Sequence, residues 1–180
     1  PRLWRNRDRV EAFYAGLPPL PPLPRAQRAL ALVEDWCPDS VQAIPVLARL
    51  PLEVRFFFRD ENPDLAEAYA KEGKRIVPTV VFLDGAYGEL ARWHGPPEAA
   101  RAFLREKKAE GLSPKALLLA YHRAFSRFAE AMLAEWRALL GAIRDNKPHN
   151  EAKRAALANL VADMGRAAVH SGTIVTWEEM

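Results

Sequence analysis

Cysteine is nearly absent from this 180-residue chain: there is one, Cys37. A single thiol excludes an intramolecular disulfide and every metal site built from several cysteines, so zinc fingers and zinc ribbons are out. Long apolar runs are missing as well. No stretch of about 18 apolar residues exists, so no transmembrane helix is expected. No basic stretch followed by an apolar core stands at the N-terminus, so no secretory leader is visible and a cytoplasmic location is the expectation. Charge of one sign is scarce. The balance of 26 Lys and Arg against 23 Asp and Glu leaves +3. That is too small and too scattered to argue for nucleic acid, although Arg2, Arg5, Arg7 and Arg9 crowd the start. The nine glycines form neither a phosphate-binding loop nor a G-x-S-x-G elbow. The histidines His94, His122, His149 and His170 show no H-x-x-x-H or H-E-x-x-H spacing, so zinc hydrolase motifs are absent. No metal and no cofactor is expected.

Proline and apolar residues are plentiful. There are fifteen prolines, and 49% of residues are hydrophobic, which argues against disorder throughout. The length suits one domain with an appendage, and chains of this size bury roughly 70% of their unfolded surface.

Residues 4–16 read as a short amphipathic helix carrying Trp4, Val10, Phe13 and Tyr14. Leu17 to Pro24 hold five prolines in eight residues, which predicts an extended polyproline-like strap laid on the surface. Ala29 to Val33 is fully apolar, as in a buried strand. Pro38 to Leu50 is helical, with Val41, Ile44 and Leu47 on one face. Leu52 to Phe58 is a second strand, and its Phe56-Phe57-Phe58 run reads as core. Asn62, Pro63 and Asp64 announce a helix to about Glu72. Val77 to Leu83 and Glu89 to Trp93 are further strands around a turn at Asp84 and Gly85. Pro96 and Pro97 open a helix ending near Gly111. The first three strands are expected to be parallel through crossover helices, with the fourth antiparallel.

Beyond Ser113 the chain is helical. Leu118, Tyr121, Phe125, Phe128, Met132, Leu139 and Ile143 mark one face of a helix about thirty residues long. Asn146 to Asn150 break it, and Leu157, Leu160, Val161 and Met164 mark a second helix. Thr173 to Thr176 read as a short strand or a tail. The expected divisions are residues 1–27 (helix and strap), 28–110 (sheet domain) and 111–180 (helical extension). The hairpin either caps its own domain or forms a homodimer through the C-terminal helices; the Phe125/Phe128/Met132 stripe is core or interface.

The chemistry concentrates in Glu34 to Pro45. A buried strand runs into a tight turn, and Cys37 begins the next helix. Backbone N–H groups and the helix dipole there favour thiolate and lower a cysteine pKa. Asp39 opposes this by like-charge repulsion, while Ser40 can donate its hydroxyl to the sulfur. Adjacent acids at Glu34-Asp35 and Asp60-Glu61 form no carboxylate dyad by spacing; Asp60 belongs to the helix start at Asn62. His94, after the fourth strand, reads as structural or solvent-facing.

Trp36-Cys37-Pro38-Asp39-Ser40 resembles the W-C-x-x-C site of the thioredoxin superfamily in all but the second cysteine. Pro45 matches the family's helix-kinking proline, and Arg75-Ile76-Val77-Pro78-Thr79 matches the proline loop before the third strand. Arg59-Asp60-Glu61-Asn62 matches a stretch that accompanies W-C-x-D-[AS] sites in one subgroup. The resemblance spans about residues 28–110. It implies a thioredoxin-like α/β fold, a mixed sheet of about four strands flanked by helices, with an N-terminal helix and a C-terminal helical hairpin. It also implies a cis Val77–Pro78 bond facing Cys37, with Val77 offering backbone hydrogen bonds to a bound strand.

The departures bear on function. Without a second sulfur, Cys37 can form a mixed disulfide but cannot resolve it alone. The family's buried acid, six residues before the first cysteine, is Ala31 here. General dithiol reductase activity is therefore not expected. Three readings remain open. The first is monothiol redox exchange through Cys37, with Ser40 beside it and a protein or low-molecular-weight thiol or disulfide as partner. The second is a non-catalytic peptide-binding module using Trp36, Pro38, Asp39, Val77 and Pro78. The third is a glutathione transferase-like protein, against which stands Gly95-Pro96-Pro97 in place of the acid–serine pair after the fourth strand. An exposed sulfur beside Pro78 favours exchange; a buried one favours the binding module. Neither a nucleic acid nor a membrane is an expected partner.

Overall fold

Eight consecutive residues of one helix, Ser40 to Leu47, are buried, and the sheet and the other helices are arranged around it. The computed structural model describes residues 6–144. The chain divides into two compact units, Pro1–Asn146 and Lys147–Met180, and the described residues all belong to the first. Trp4, the break at Asn146 to Asn150, the helix carrying Leu157, Leu160, Val161 and Met164, and the Thr173 to Thr176 segment lie outside the described residues.

Helix α1 (Arg7–Gly16) is followed by strand β1 (Arg28–Val33), helix α2 (Pro38–Arg49) and strand β2 (Glu53–Phe58). A 3-10 turn at Arg59–Glu61 leads to helix α3 (Pro63–Ala68), then strands β3 (Thr79–Leu83) and β4 (Glu89–His94). Helices α4 (Glu98–Ala109), α5 (Pro114–Arg123) and α6 (Phe125–Arg144) complete the described chain. The four strands form one sheet in the order β2-β1-β3-β4, so the fold is α/β and thioredoxin-like.

The strap joins α1 to β1. Leu17, Leu20 and Leu23 recur every third residue, which is the period of a polyproline helix. One edge of the strap is therefore leucine, and all three pack on the main core. Burying such a side chain contributes about 1.5–3 kcal/mol.

Strand directions correct one expectation. β1 and β2 are parallel, but β3 is antiparallel to β1, and β4 is antiparallel to β3. The twelve residues of α2 carry the chain back along the sheet. α3 has only six, spanning about 9 Å at 1.5 Å per residue. A six-residue strand such as β2 is about 20 Å long. The helix cannot return the chain, so β3 starts from the end at which β2 finished. α3 also stops at Ala68, short of the expected Glu72, and Lys71 and Lys74 pair as an isolated antiparallel bridge. Of the Phe56-Phe57-Phe58 run only Phe58 packs against the main core. β2 is an edge strand, Phe57 and Phe58 are half-buried, and Phe56 is 37% exposed.

The long C-terminal helix is also two helices. Ala124 leaves helical geometry (φ −94°, ψ 6°), and its N–H turns back to Tyr121 O at 3.1 Å. Neither proline nor glycine marks the break. Tyr121, Phe125 and Phe128 join a cluster with Val41 and Ala100. Met132, Trp136 and Leu140 reach the main core under the sheet. The stripe at Phe125, Phe128 and Met132 is thus core, while Leu118 faces solvent.

Trp136 is fully buried. It meets Phe82 and Trp93 edge-on, at centroid distances of 5.5 Å and 5.4 Å. Trp136→Ala is expected to remove about 3–5 kcal/mol of stability. Urea unfolding checks this, and a loss under about 1 kcal/mol, the range of exposed sites, would show that α6 is not part of the core.

Candidate functional site

Cys37 is the N-cap of α2, with extended backbone (φ −87°, ψ 118°) and Pro38 opening the first turn. Its N–H returns to Glu34 O at 3.3 Å, and its carbonyl takes the first helical bond from Val41 N at 3.0 Å. The turn is secured from below. Glu34 N–H donates to Ser40 Oγ at 3.1 Å, which leaves the hydroxyl proton available to the sulfur. Asn6 Nδ2 donates to Asp35 O at 2.7 Å, tying α1 to the same turn.

Across the site the Val77–Pro78 peptide is cis. Cys37 Sγ donates to Val77 O at 3.6 Å, so the thiol and the proline loop are in contact. Behind them Gly95 N–H donates to Pro78 O at 2.9 Å. A Cβ on Gly95 would lie 2.7 Å from the Trp93 ring and 2.9 Å from Pro78 Cγ, so only glycine fits there. Thr79 Oγ1 donates to Ile76 O at 2.8 Å and lies 2.9 Å from His94 Nδ1. With its one proton committed, the hydroxyl accepts from Nδ1, which sets the tautomer. Burial, with Lys71 and Arg92 nearby, pushes the His94 pKa down. His94 is a half-buried structural residue of the loop.

Sulfur electrostatics depart from the helix-start expectation. Cys37 is only 6% exposed, and its pKa is raised. Burial is the main cause and Asp39 adds to it; the Ser40 amide and hydroxyl and the Asp39 amide pull the other way and lose. Desolvation of an anion costs more here than a few dipoles return. Asp39 is itself raised by burial, against a hydrogen bond from Tyr121 and the field of Arg101. The Tyr121 hydroxyl donates to Asp39 Oδ1, and burial beside Asp39 lifts its own pKa well above the phenol range.

Of the sequence-derived residues, Cys37 meets Val77 directly; Ser40 is buried beneath it on the Glu34 N–H, and Asp39 is turned to Tyr121. Trp36 is 46% exposed and forms the rim. The Arg59-Asp60-Glu61-Asn62 stretch has a physical role there. Arg59 lies over the Trp36 ring, 5.2 Å from its centroid, anchored by Asp60 Oδ1 at 2.8 Å and Arg75 O at 3.2 Å. Asp60 N–H donates to the buried Glu34 carboxylate at 2.8 Å. Asn62 does not cap α3 through its side chain; its Nδ2 donates back to Phe58 O at 2.8 Å. Tyr121 escapes a local reading, since it stands 82 residues from Asp39. Glu34, in the sequence only one of two adjacent acids that form no dyad, is fully buried and holds the Asp60 N–H. Among the described residues no cluster of His, Cys, Asp and Glu could hold a metal ion.

A mixed sheet with a helix starting on a cysteine, faced by a cis-proline loop, defines a thioredoxin-like protein. The thioredoxin family model matches residues 20–109, half of the chain, and the chain belongs to that family. A crystal structure of a protein of unknown function from Pseudomonas aeruginosa is 23% identical, with a TM-score of 0.52, covering 78% of this chain and 87% of that one. A more distant likeness, to an HIV epitope-scaffold, is 18% identical with a TM-score of 0.45, covering 74% and 87%. No curated protein matches the chain.

Asp39→Asn removes the like charge beside the sulfur, so the pH midpoint of Cys37 alkylation is expected to fall; an unchanged or higher midpoint contradicts the electrostatic account. A second outcome concerns stability. The folded protein keeps the Cys37 proton to higher pH than the unfolded chain does. The native state therefore binds more protons above about pH 8.5, the ordinary thiol value, and stability falls as pH rises past it. Comparing unfolding of wild type and Cys37→Ala between pH 7 and 10 isolates this slope, which the variant should lack.

Proposed function

We propose that this protein is a non-catalytic thioredoxin-fold module that binds an extended peptide segment along Trp36 and the Val77–Pro78 loop. One observation carries the reading: the single thiol is buried, bonded to Val77 O, and held in its protonated form by desolvation and Asp39. A thiol of that kind is a poor nucleophile, and no second cysteine exists to resolve a mixed disulfide. Trp36 supplies the exposed aromatic surface that recognition favours. Val77 supplies main-chain groups for pairing with an added strand; among the described residues its carbonyl accepts the weak thiol donor, which leaves a lone pair.

A second reading has its own support. The Asp39 and Ser40 amides and the Ser40 hydroxyl still favour the thiolate. These are the groups a monothiol exchange would use: attack on a disulfide would leave a mixed disulfide on Cys37 and expel a thiolate, and an external thiol would then release the protein.

Panning a random peptide library on the immobilised protein separates the two. The binding reading expects the recovered peptides to bind Cys37→Ser as tightly as wild type. Trp36→Ala is expected to weaken them about tenfold or more, as befits an aromatic hot spot. Incubation with glutathione disulfide at pH 7 should leave Cys37 free by mass spectrometry. A rapidly formed glutathione adduct, together with peptides lost in Cys37→Ser, would establish exchange instead.

A further inference from the structure

Among the described residues the outer edge of β2 pairs with no other strand, and its sequence points to a partner. Among the described residues β2 pairs only with β1. Glu53 N–H donates to Gln27 O at 3.0 Å on the β1 side, which sets the phase of the ladder. Residues 53, 55 and 57 direct their backbone groups to β1, and residues 54, 56 and 58 direct theirs outward. Natural edge strands are usually blunted by charged side chains, proline, a bulge or an inward charge; β2 carries its charges, Glu53 and Arg55, at alternate positions on one face. Glu-Val-Arg-Phe-Phe-Phe has no proline, and its ladder to β1 is regular throughout. Its outward positions are Val54, Phe56 and Phe58, all apolar, with Phe56 exposed between two neighbours that pack on the core.

We infer that this edge binds the same edge of a second copy of the chain, antiparallel across a two-fold axis at Phe56. An antiparallel ladder matches outward residues with outward residues. Centring on Phe56 places Phe56 opposite its own copy and Val54 opposite Phe58, with all of 54–58 overlapping. Phe58 O also accepts from Asn62 Nδ2, and a carbonyl has a second lone pair for the ladder. One face of the junction is then entirely apolar. On the other face Arg55 stands opposite Phe57, a cation–aromatic pairing.

Charge selects this register over its neighbours. Shifting the axis to Arg55 sets two arginines opposite each other, and shifting it to Phe57 sets Arg55 opposite Arg59. Like charges in such pairs are destabilising. The axis at Val54 sets Glu53 opposite Arg55 but overlaps only residues 53–55, leaving Phe56, Phe57 and Phe58 beyond the ladder. Self-complementarity of pattern, phase and charge makes the occupant a second copy. Each four-stranded sheet becomes half of a continuous eight-stranded one. A groove of about 290 Å³ on the Arg55 face, floored by Leu30, Phe57 and Leu83, runs up to the junction. This surface is separate from the Cys37 site.

Sedimentation equilibrium of the full chain tests the inference. A concentration-dependent monomer–dimer equilibrium is expected. Phe56→Lys should weaken it about a hundredfold, since two rings are lost and two like charges meet on the axis. A Phe56→Cys variant in a Cys37→Ser background should give a covalent dimer with a short bismaleimide. Leu119→Cys, on the exposed face of α5, should not. This second variant decides the matter should Phe56→Lys fold poorly. A chain that stays monomeric at every concentration overturns the inference, as it would if another part of the chain or a different protein occupies the edge. A dimer unaffected by Phe56→Lys and not cross-linked through Phe56→Cys overturns it equally.

Discussion

Burial of the α2 N-terminus is the constraint on which the rest of the site depends. The helix start would, in water, stabilise an anion on Cys37 through its amides and dipole. Here the Val77–Pro78 loop covers the sulfur from one side, and Tyr121 closes on Asp39 from the other. Removal of water raises the cost of charge on both groups, and the same amides no longer suffice. The thiol instead donates to Val77 O. A helix-start position that would otherwise favour a thiolate here holds a buried thiol bonded to Val77 O.

That burial is assembled by segments far apart in sequence. α1 is tied to the turn before Cys37 through Asn6 and Asp35. The strap holds its leucines on the core. The break at Ala124 lets α5 deliver Tyr121 to Asp39 while α6 carries Met132 and Trp136 beneath the sheet. Glu34 links the turn to the Arg59–Glu61 segment through Asp60, and Arg59 in turn braces Trp36. Such a network has two consequences. Trp36 at the rim is braced by a guanidinium that is itself tied to Asp60 and to Arg75 O. The other end of the sheet, at β2, is left without comparable cover among the described residues.

Legibility followed the range of the forces. The apolar run at Ala29 to Val33, the Pro38 helix start and the turn at Asp84 and Gly85 are local signals, and each element stands where they place it. The site was readable for the same reason, since Trp36 to Ser40 are contiguous and Val77-Pro78 carries a rigid local signature. The direction of β3 was not readable, because it depends on whether α3 is long enough to span the sheet. Ala124 was not readable either: two helices in phase leave one unbroken hydrophobic stripe. Phe56 looked like core because composition cannot tell a central strand from an edge strand.

The sequence by itself determined the thioredoxin-like class, the location of the candidate site and the lack of a second cysteine within it, because one cysteine and the order of local motifs suffice for these. Tertiary structure alone decided the direction in which the pKa of that cysteine moves, the order and direction of the strands, and which strands lie at the edges of the sheet. The physical reason is that solvation and strand neighbours are properties of the assembled interior. No residue carries them in its own side chain.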